Sequence, residues 1–160
     1  MGFATHLGPW LLGTVKNTTG TTAGTIRNMG VTSVGQSDPV TYTDAAASTA
    51  FVIPAGSLIT NIAFYSTTAF TGTSPTITVY INGTAVTTTV AMTSGTAYNG
   101  ALSLAQTTAA AALLNNVGST DATVTYTIGG TALSAGAGTL LVEYLVRNSD
   151  GSANPTTFQQ

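Results

Sequence analysis

The residues of this chain able to do chemistry are few. The segment Ala132-Leu-Ser134-Ala-Gly136 approximates the tight turn that presents a serine nucleophile, with Ala132 in place of the motif's first glycine. A serine attacks only when a neighbouring base takes its proton. The single histidine is His6, distant in sequence, and the alternating strand–helix pattern of hydrolases is missing. Ser134 therefore reads as part of a strand-to-strand turn between Ile128 and Leu140. The acids are Asp38, Asp44, Asp121, Glu143 and Asp150. Glycoside hydrolysis needs two carboxylates flanking one bond. Asp38 precedes Pro39, Asp121 follows Ser119-Thr120 and Asp150 precedes Gly151. Those neighbours point to turn capping, and no aromatic-rich sugar platform accompanies the acids. Asn148-Ser-Asp150-Gly151 imitates the middle of a calcium loop. Val146 and Thr157, however, stand at the first and last ligand positions, where acids are required. His6 has no partner at metal-ligand spacing. There is no cysteine, so thiol chemistry and disulfides are absent. The sequons Asn17-Thr-Thr19 and Asn82-Gly-Thr84 are of the kind that arise by chance in a Thr-rich chain. No catalytic residue, metal site or cofactor is expected.

Composition narrows the partners. The chain has 160 residues, of which 5% are charged, with Lys+Arg 3 and Asp+Glu 5. An ordinary soluble domain carries about 25% charged residues. Three cations cannot neutralise a run of phosphates, so nucleic acid is excluded as an electrostatic partner. A polybasic membrane patch is excluded for the same reason, and no apolar run approaches the length of a membrane span. No standard signal peptide is read at the N-terminus, where Lys16 follows the apolar residues. Thr supplies 34 residues, and its branched side chain favours the pleated surface of a sheet.

Three regions emerge along the chain. Residues 1–35 hold seven glycines and show no sustained apolar period, which reads as an extended N-terminal arm. Phe3, Leu7, Trp10, Leu11 and Leu12 nevertheless form an apolar cluster there, and Lys16 and Arg27 give the arm a charge of +2. Residues 36–147 read as a β-module, and residues 148–160 as a C-terminal tail rich in Asn, Ser and Gly. Within the module, strands are expected at Phe51–Ile53, at Leu58–Tyr65 with Leu58, Ile62 and Phe64 on one face, and at Thr76–Ile81. In that third strand, Ile77, Val79 and Ile81 point inward and Thr76, Thr78 and Tyr80 outward. Asn82-Gly83 then predicts a tight hairpin, because both turn residues must take positive φ, and a strand over Thr84–Met92 follows. Ala105–Leu114 is the one helix candidate. Thr123–Ile128, stopped by Gly129-Gly130, and Gly138–Arg147 complete the strands. Short strands with regular turn signals predict an all-β fold, an antiparallel β-sandwich of jelly-roll type.

The last strand carries two charges on its Leu141 and Leu145 face. Glu143 and Arg147 lie four residues apart, about 13 Å along a strand, so they cannot pair with each other. The mixed face suits a contact between subunits, made by Leu141, Glu143, Leu145 and Arg147. A strand edge covered by the chain's own loop is the alternative.

Four segments together resemble phage virion structural proteins, above all the head-decoration or cement proteins of tailed phages. They are Gly8-Pro-Trp-Leu-Leu-Gly-Thr-Val-Lys-Asn17, Ile53-Pro-Ala-Gly-Ser-Leu-Ile-Thr-Asn61, Ser66-Thr-Thr-Ala-Phe70 and Gly138-Thr-Leu-Leu-Val-Glu-Tyr144. The resemblance implies a non-enzymatic β-module with an extended arm, often trimeric, on the outer capsid surface of the virion. Its implied partners are the major capsid protein and other copies of itself. The contact residues expected on the arm are Phe3, His6, Leu7, Trp10, Leu11, Leu12, Lys16 and Arg27. The same texture occurs in tail and fibre components, where Tyr42, Tyr65, Tyr80 and Tyr98 are candidates for binding a glycan.

Overall fold

The computed structural model describes residues 32–44 and 47–147. Seven strands form a single antiparallel sheet. They are β1 (Thr32–Thr41), β2 (Ser48–Ile53), β3 (Leu58–Ile81), β4 (Thr84–Ala85), β5 (Val90–Ala91), β6 (Asn99–Ala101) and β7 (Ala122–Val146); among the described residues a helix, α1 (Thr108–Asn115), precedes β7. The antiparallel, all-β expectation holds. The division into two facing sheets of a jelly-roll sandwich does not describe the hydrogen bonding, which runs through one continuous sheet.

The axis of that sheet is the ladder between β3 and β7, paired from Leu58↔Leu145 to Ile81↔Val124. On the far side of β7, β1 covers one half and β2 the other. On the far side of β3 lie β4, β5 and β6. Sequence reading broke both long strands in the middle, at Ser66–Pro75 and at Gly129–Ala137. Pairing instead continues through both segments. A straight strand of 24 residues would run about 80 Å at the usual rise, far beyond the width of a body this size, so the ribbon must bend. It bends at register shifts between Ser66 and Thr76. These are bulges, where an unpaired residue kinks a strand without ending it. Ser74 and Ala132 take the left-handed backbone there, with φ of 51° each. Pro75 is accommodated because a bulge interrupts the ladder.

Bending lets both halves of the ribbon bury side chains in one core. Ile62, Phe64, Phe70, Ile77, Val79 and Ile81 from β3 meet Ala122, Val124, Tyr126, Leu140, Val142 and Tyr144 from β7. The inward set on β3 changes from even to odd numbers across the bulges, whereas β7 stays even. A further shift between Ile59 and Asn61 corrects the faces expected for the Leu58–Tyr65 strand. Ile59 is buried and Leu58 only partly so. Thr78, expected outward, is also buried, and its hydroxyl donates to Thr89.

The Asn82-Gly83 hairpin forms as predicted, with φ of 49° and 78° and Ile81 paired with Thr84. The strand expected after it does not run to Met92. Its ladder stops after Ala85 because Thr87 replaces backbone with side chain: its hydroxyl accepts the Val79 N–H at 2.9 Å. Helix α1 starts later than its Ala-rich run, at the residue after Thr107. The Thr107 hydroxyl caps it by accepting the Ala110 N–H.

Candidate assembly surface

The arm residues Phe3, His6, Leu7, Trp10, Leu11, Leu12, Lys16 and Arg27 lie outside the described residues, as do Asn148 and Asp150 of the calcium-like loop. The structure positions the four residues of the last strand. Leu141, Glu143 and Leu145 are half-buried on the outer face of β7, and Arg147 follows its end. The segment is central, flanked by β1 and β3, so it is no strand edge. Opposite Leu145, Glu143 and Leu141 on β1 stand Ser33, Gly35 and Ser37. These small side chains leave the leucines and the carboxylate partly open on that side.

Both charges have partners within the chain. Asn61 donates to the Glu143 carboxylate at 3.2 Å across the β3–β7 ladder. Arg147 donates through Nε to the Gly56 carbonyl at 2.9 Å and through Nη2 to the Asn115 carbonyl. Asn115 ends α1, where carbonyls lack intrahelical donors. A cation there satisfies one of them and complements the helix dipole. Arg147 thereby ties the turn before β3 to the helix. No sequence signal announced this contact, because its partners are backbone atoms remote along the chain.

β1 forms the outer border of the sheet. Sequence reading placed Thr32–Gly35 in the arm and put a turn at Asp38-Pro39, but all of these residues lie within β1. Proline is tolerated on an outer strand because its missing N–H can face away from the ladder. Alternation puts Val34, Gln36, Asp38 and Val40 toward the core. Gln36 donates to the Tyr144 hydroxyl at 2.6 Å, and Val40 is buried. Asp38 is an inward-facing charge on a border strand, a device that discourages edge-to-edge pairing.

Asp44 closes the turn after β1. Its carboxylate accepts the Thr41 N–H at 2.6 Å, the Thr41 hydroxyl at 2.7 Å and the Tyr126 hydroxyl at 2.7 Å. Burial alone would raise the Asp44 pKa, but these three donors outweigh it and hold the carboxyl below its ordinary value. Asp38 is pushed up, first by burial and then by repulsion from Asp44. The Tyr126 hydroxyl is pushed up by burial and by its bond to Asp44. The signs decide the acid response. The lowered Asp44 contributes stability above the ordinary carboxyl range and loses it as pH falls through that range. The raised Asp38 acts oppositely: its contribution is present at acid pH and lost as pH rises. Asp44→Asn is expected to cost about 1.5–3 kcal/mol at neutral pH, the range for hydrogen bonds to a charged group. It should also flatten the loss of stability in acid. Thermal melts of both proteins from neutral to strongly acid pH check this.

The remaining candidates fall into ordinary uses. Ser134 lies inside β7 rather than in a connecting turn, and its hydroxyl is 2.9 Å from that of Thr71, which is not a base. Asp121 accepts the Ala55 N–H at 3.0 Å, a turn-capping bond as read. Asn82 accepts the Thr123 N–H at 2.9 Å. Tyr98 uses its hydroxyl on the Ala101 carbonyl.

No protein-family model matches the chain. No curated protein matches it either. Among solved structures, it is similar to a chain of the cyanophage Pam1 capsid asymmetric unit, with 15% identity and a TM-score of 0.41, over 80% of this chain and 94% of that one.

Proposed function

We propose that this chain is a non-enzymatic structural protein of a phage virion, of the head-decoration or cement type. In this reading it sits on the outer capsid surface, needs no cofactor, and binds the major capsid protein and further copies of itself. Residues 1–35 supply the attachment, through the apolar anchors Phe3, Leu7 and Trp10–Leu12. Leu141, Glu143, Leu145 and Arg147 lie toward neighbouring copies in a homotrimer, the assembly common among proteins of this type. The observation that carries the reading is the border strand β1. Its outer edge meets no partner among the described residues, and it continues directly from the apolar, cationic residues 1–31. Backbone groups on such an edge favour strand addition, which gives affinity through main-chain hydrogen bonds. A surface so poor in charge gives little repulsion between copies, and a shell that repeats one weak contact gains avidity. The test is co-sedimentation of the full chain with phage heads stripped of it, followed by heating. The expected result is saturable binding and a raised temperature of head disruption. Heads that stay bare at saturating protein contradict the proposal.

A second reading, a tail or fibre module binding a host-surface glycan, is favoured by the exposure of Tyr42 (37%) and Tyr65 (45%). A glycan array with the purified protein separates it from the first. Binding lost on Tyr65→Ala would support it, and no binding to any glycan would exclude it.

A further inference from the structure

Two asparagines in the chain precede a glycine, Asn82 and Asn99. Such a pair can react with itself. The glycine nitrogen attacks the asparagine Cγ, the new C–N bond closes a five-membered succinimide, and the side-chain nitrogen leaves as ammonia. Water then opens the ring at either carbonyl, which gives aspartate or isoaspartate. Glycine in second place favours the attack, because it has no Cβ to hinder its nitrogen. Closure makes two demands. The carboxamide must be free to move, and the backbone must bring the next nitrogen to the Cβ side of the Cα–C bond.

The fold treats the two sites differently. The Asn82 N–H donates to the Thr123 carbonyl and its Oδ1 accepts the Thr123 N–H, each at 2.9 Å. Its left-handed backbone, with φ of 49°, puts the Gly83 nitrogen nearly opposite Cβ across the Cα–C bond. The hairpin must therefore come apart before that ring can close. Asn99 lies in β6, which has three residues and pairs with β3 alone among the described residues. The Asn99 side chain is exposed and has no hydrogen-bond partner among the described residues. On either side of it, Leu102 donates to the Ile62 carbonyl and Ser66 to the Tyr98 carbonyl, both at 2.8 Å. Alternation along an antiparallel ladder then makes Phe64 and Gly100 a bonded pair, and Tyr65 and Asn99 an unbonded one. The backbone groups of Asn99 face away from β3, so the bond of the Gly100 N–H to Phe64 is what restrains the nucleophile. An extended residue also stands nearer than a left-handed one to the rotation the ring needs. A short border strand opens locally more readily than a central ladder.

We propose that Asn99 is a site of spontaneous covalent modification, converted through a succinimide with Gly100 to aspartate and isoaspartate in the folded protein, while Asn82 is protected. The product sets a carboxylate beside Tyr65, the cross-strand neighbour of Asn99. Isoaspartate also adds a methylene to the backbone of β6 and spoils its register with β3. The proposal rests on neither reading of the function, and its test needs neither heads nor glycans. Native wild-type chain, and the same chain unfolded in guanidinium chloride, are held in one mildly alkaline buffer. Timed samples are mapped by peptide mass spectrometry, with fragmentation that distinguishes isoaspartate. In the native chain Asn99 should convert at least about tenfold faster than Asn82, the factor for one further hydrogen bond that must break. In the unfolded chain the two should convert at similar rates, because only the shared Asn-Gly sequence remains. Native Asn82 converting as fast as Asn99 overturns the proposal. So does native Asn99 that stays intact while the unfolded chain converts, and so does a preference for Asn99 that persists unchanged on unfolding.

Discussion

Gly138→Ala is expected to destabilise the module by about 3 kcal/mol or more, the upper range for overpacking a core. Gly138 sits in the central strand, paired with Ser66 on one side and Val40 on the other. A Cβ built there falls 2.6 Å from the Tyr65 carbonyl oxygen and 2.9 Å from Phe64 Cε2, with Phe64 Cζ closer still. Neither neighbour can give way. The carbonyl belongs to the backbone of β3, and the Phe64 ring is fully buried and packs on Phe70 with centroids 5.9 Å apart. Such a cost is a large fraction of the roughly 5–15 kcal/mol that holds a domain folded. Gly136→Ala should behave alike, because its Cβ would lie 2.5 Å from Phe70 Cγ. Gly95→Ala is the control: nothing lies within 4 Å, and only its φ of 74° opposes a side chain. It should cost about 1 kcal/mol, the ordinary penalty of a left-handed residue. Urea unfolding of the three variants decides the matter. Equal losses for Gly138→Ala and Gly95→Ala would mean that the ring does not lie against the glycine.

Deleting residues 1–15 is expected to abolish attachment to heads while leaving the unfolding midpoint unchanged. The deletion removes Phe3, Leu7, Trp10, Leu11 and Leu12. Fully burying a large apolar side chain contributes about 1.5–3 kcal/mol, and ordering each backbone residue costs about 1–2 kcal/mol. Spaced anchors therefore yield a modest net gain per copy, and losing all five removes it. The described residues hold a core of their own, drawn from Val34 to Val146, and that core is expected to keep the module folded when residues 1–15 are removed. Binding curves and thermal melts on the same preparations separate attachment from folding. Full head occupancy by the truncated chain would contradict the role given to the arm.

Local signals were legible where local physics decides. Asn82-Gly83 admits few alternatives to a tight hairpin, and the strict alternation of Ile77, Val79 and Ile81 fixed which face is buried. The unbroken course of β3 and β7 was not legible. Pro75 and Gly129-Gly130 look like strand ends, yet the cross-strand partner carries the ladder past them as bulges. The Leu58 error has the same origin, since one bulge exchanges the two faces of a strand. β1 was missed because Thr32–Thr41 contains an inward carboxylate and a proline, both tolerated on a border strand and disfavoured in a central one. Of the candidate surface, the placement of Leu141, Glu143 and Leu145 on one face followed from alternation. The bonds of Glu143 to Asn61 and of Arg147 to two backbone carbonyls depend on tertiary neighbours that no local pattern encodes.

The central claim is that this β-module decorates a phage head, and a density map of the intact virion that carries the chain tests it most directly. The account predicts one seven-stranded module per binding site on the outer capsid surface, with residues 1–31 continuing from Thr32 into contact with the shell or a neighbouring copy. A shell whose outer surface holds no such module, or the module found only in the tail, would contradict it.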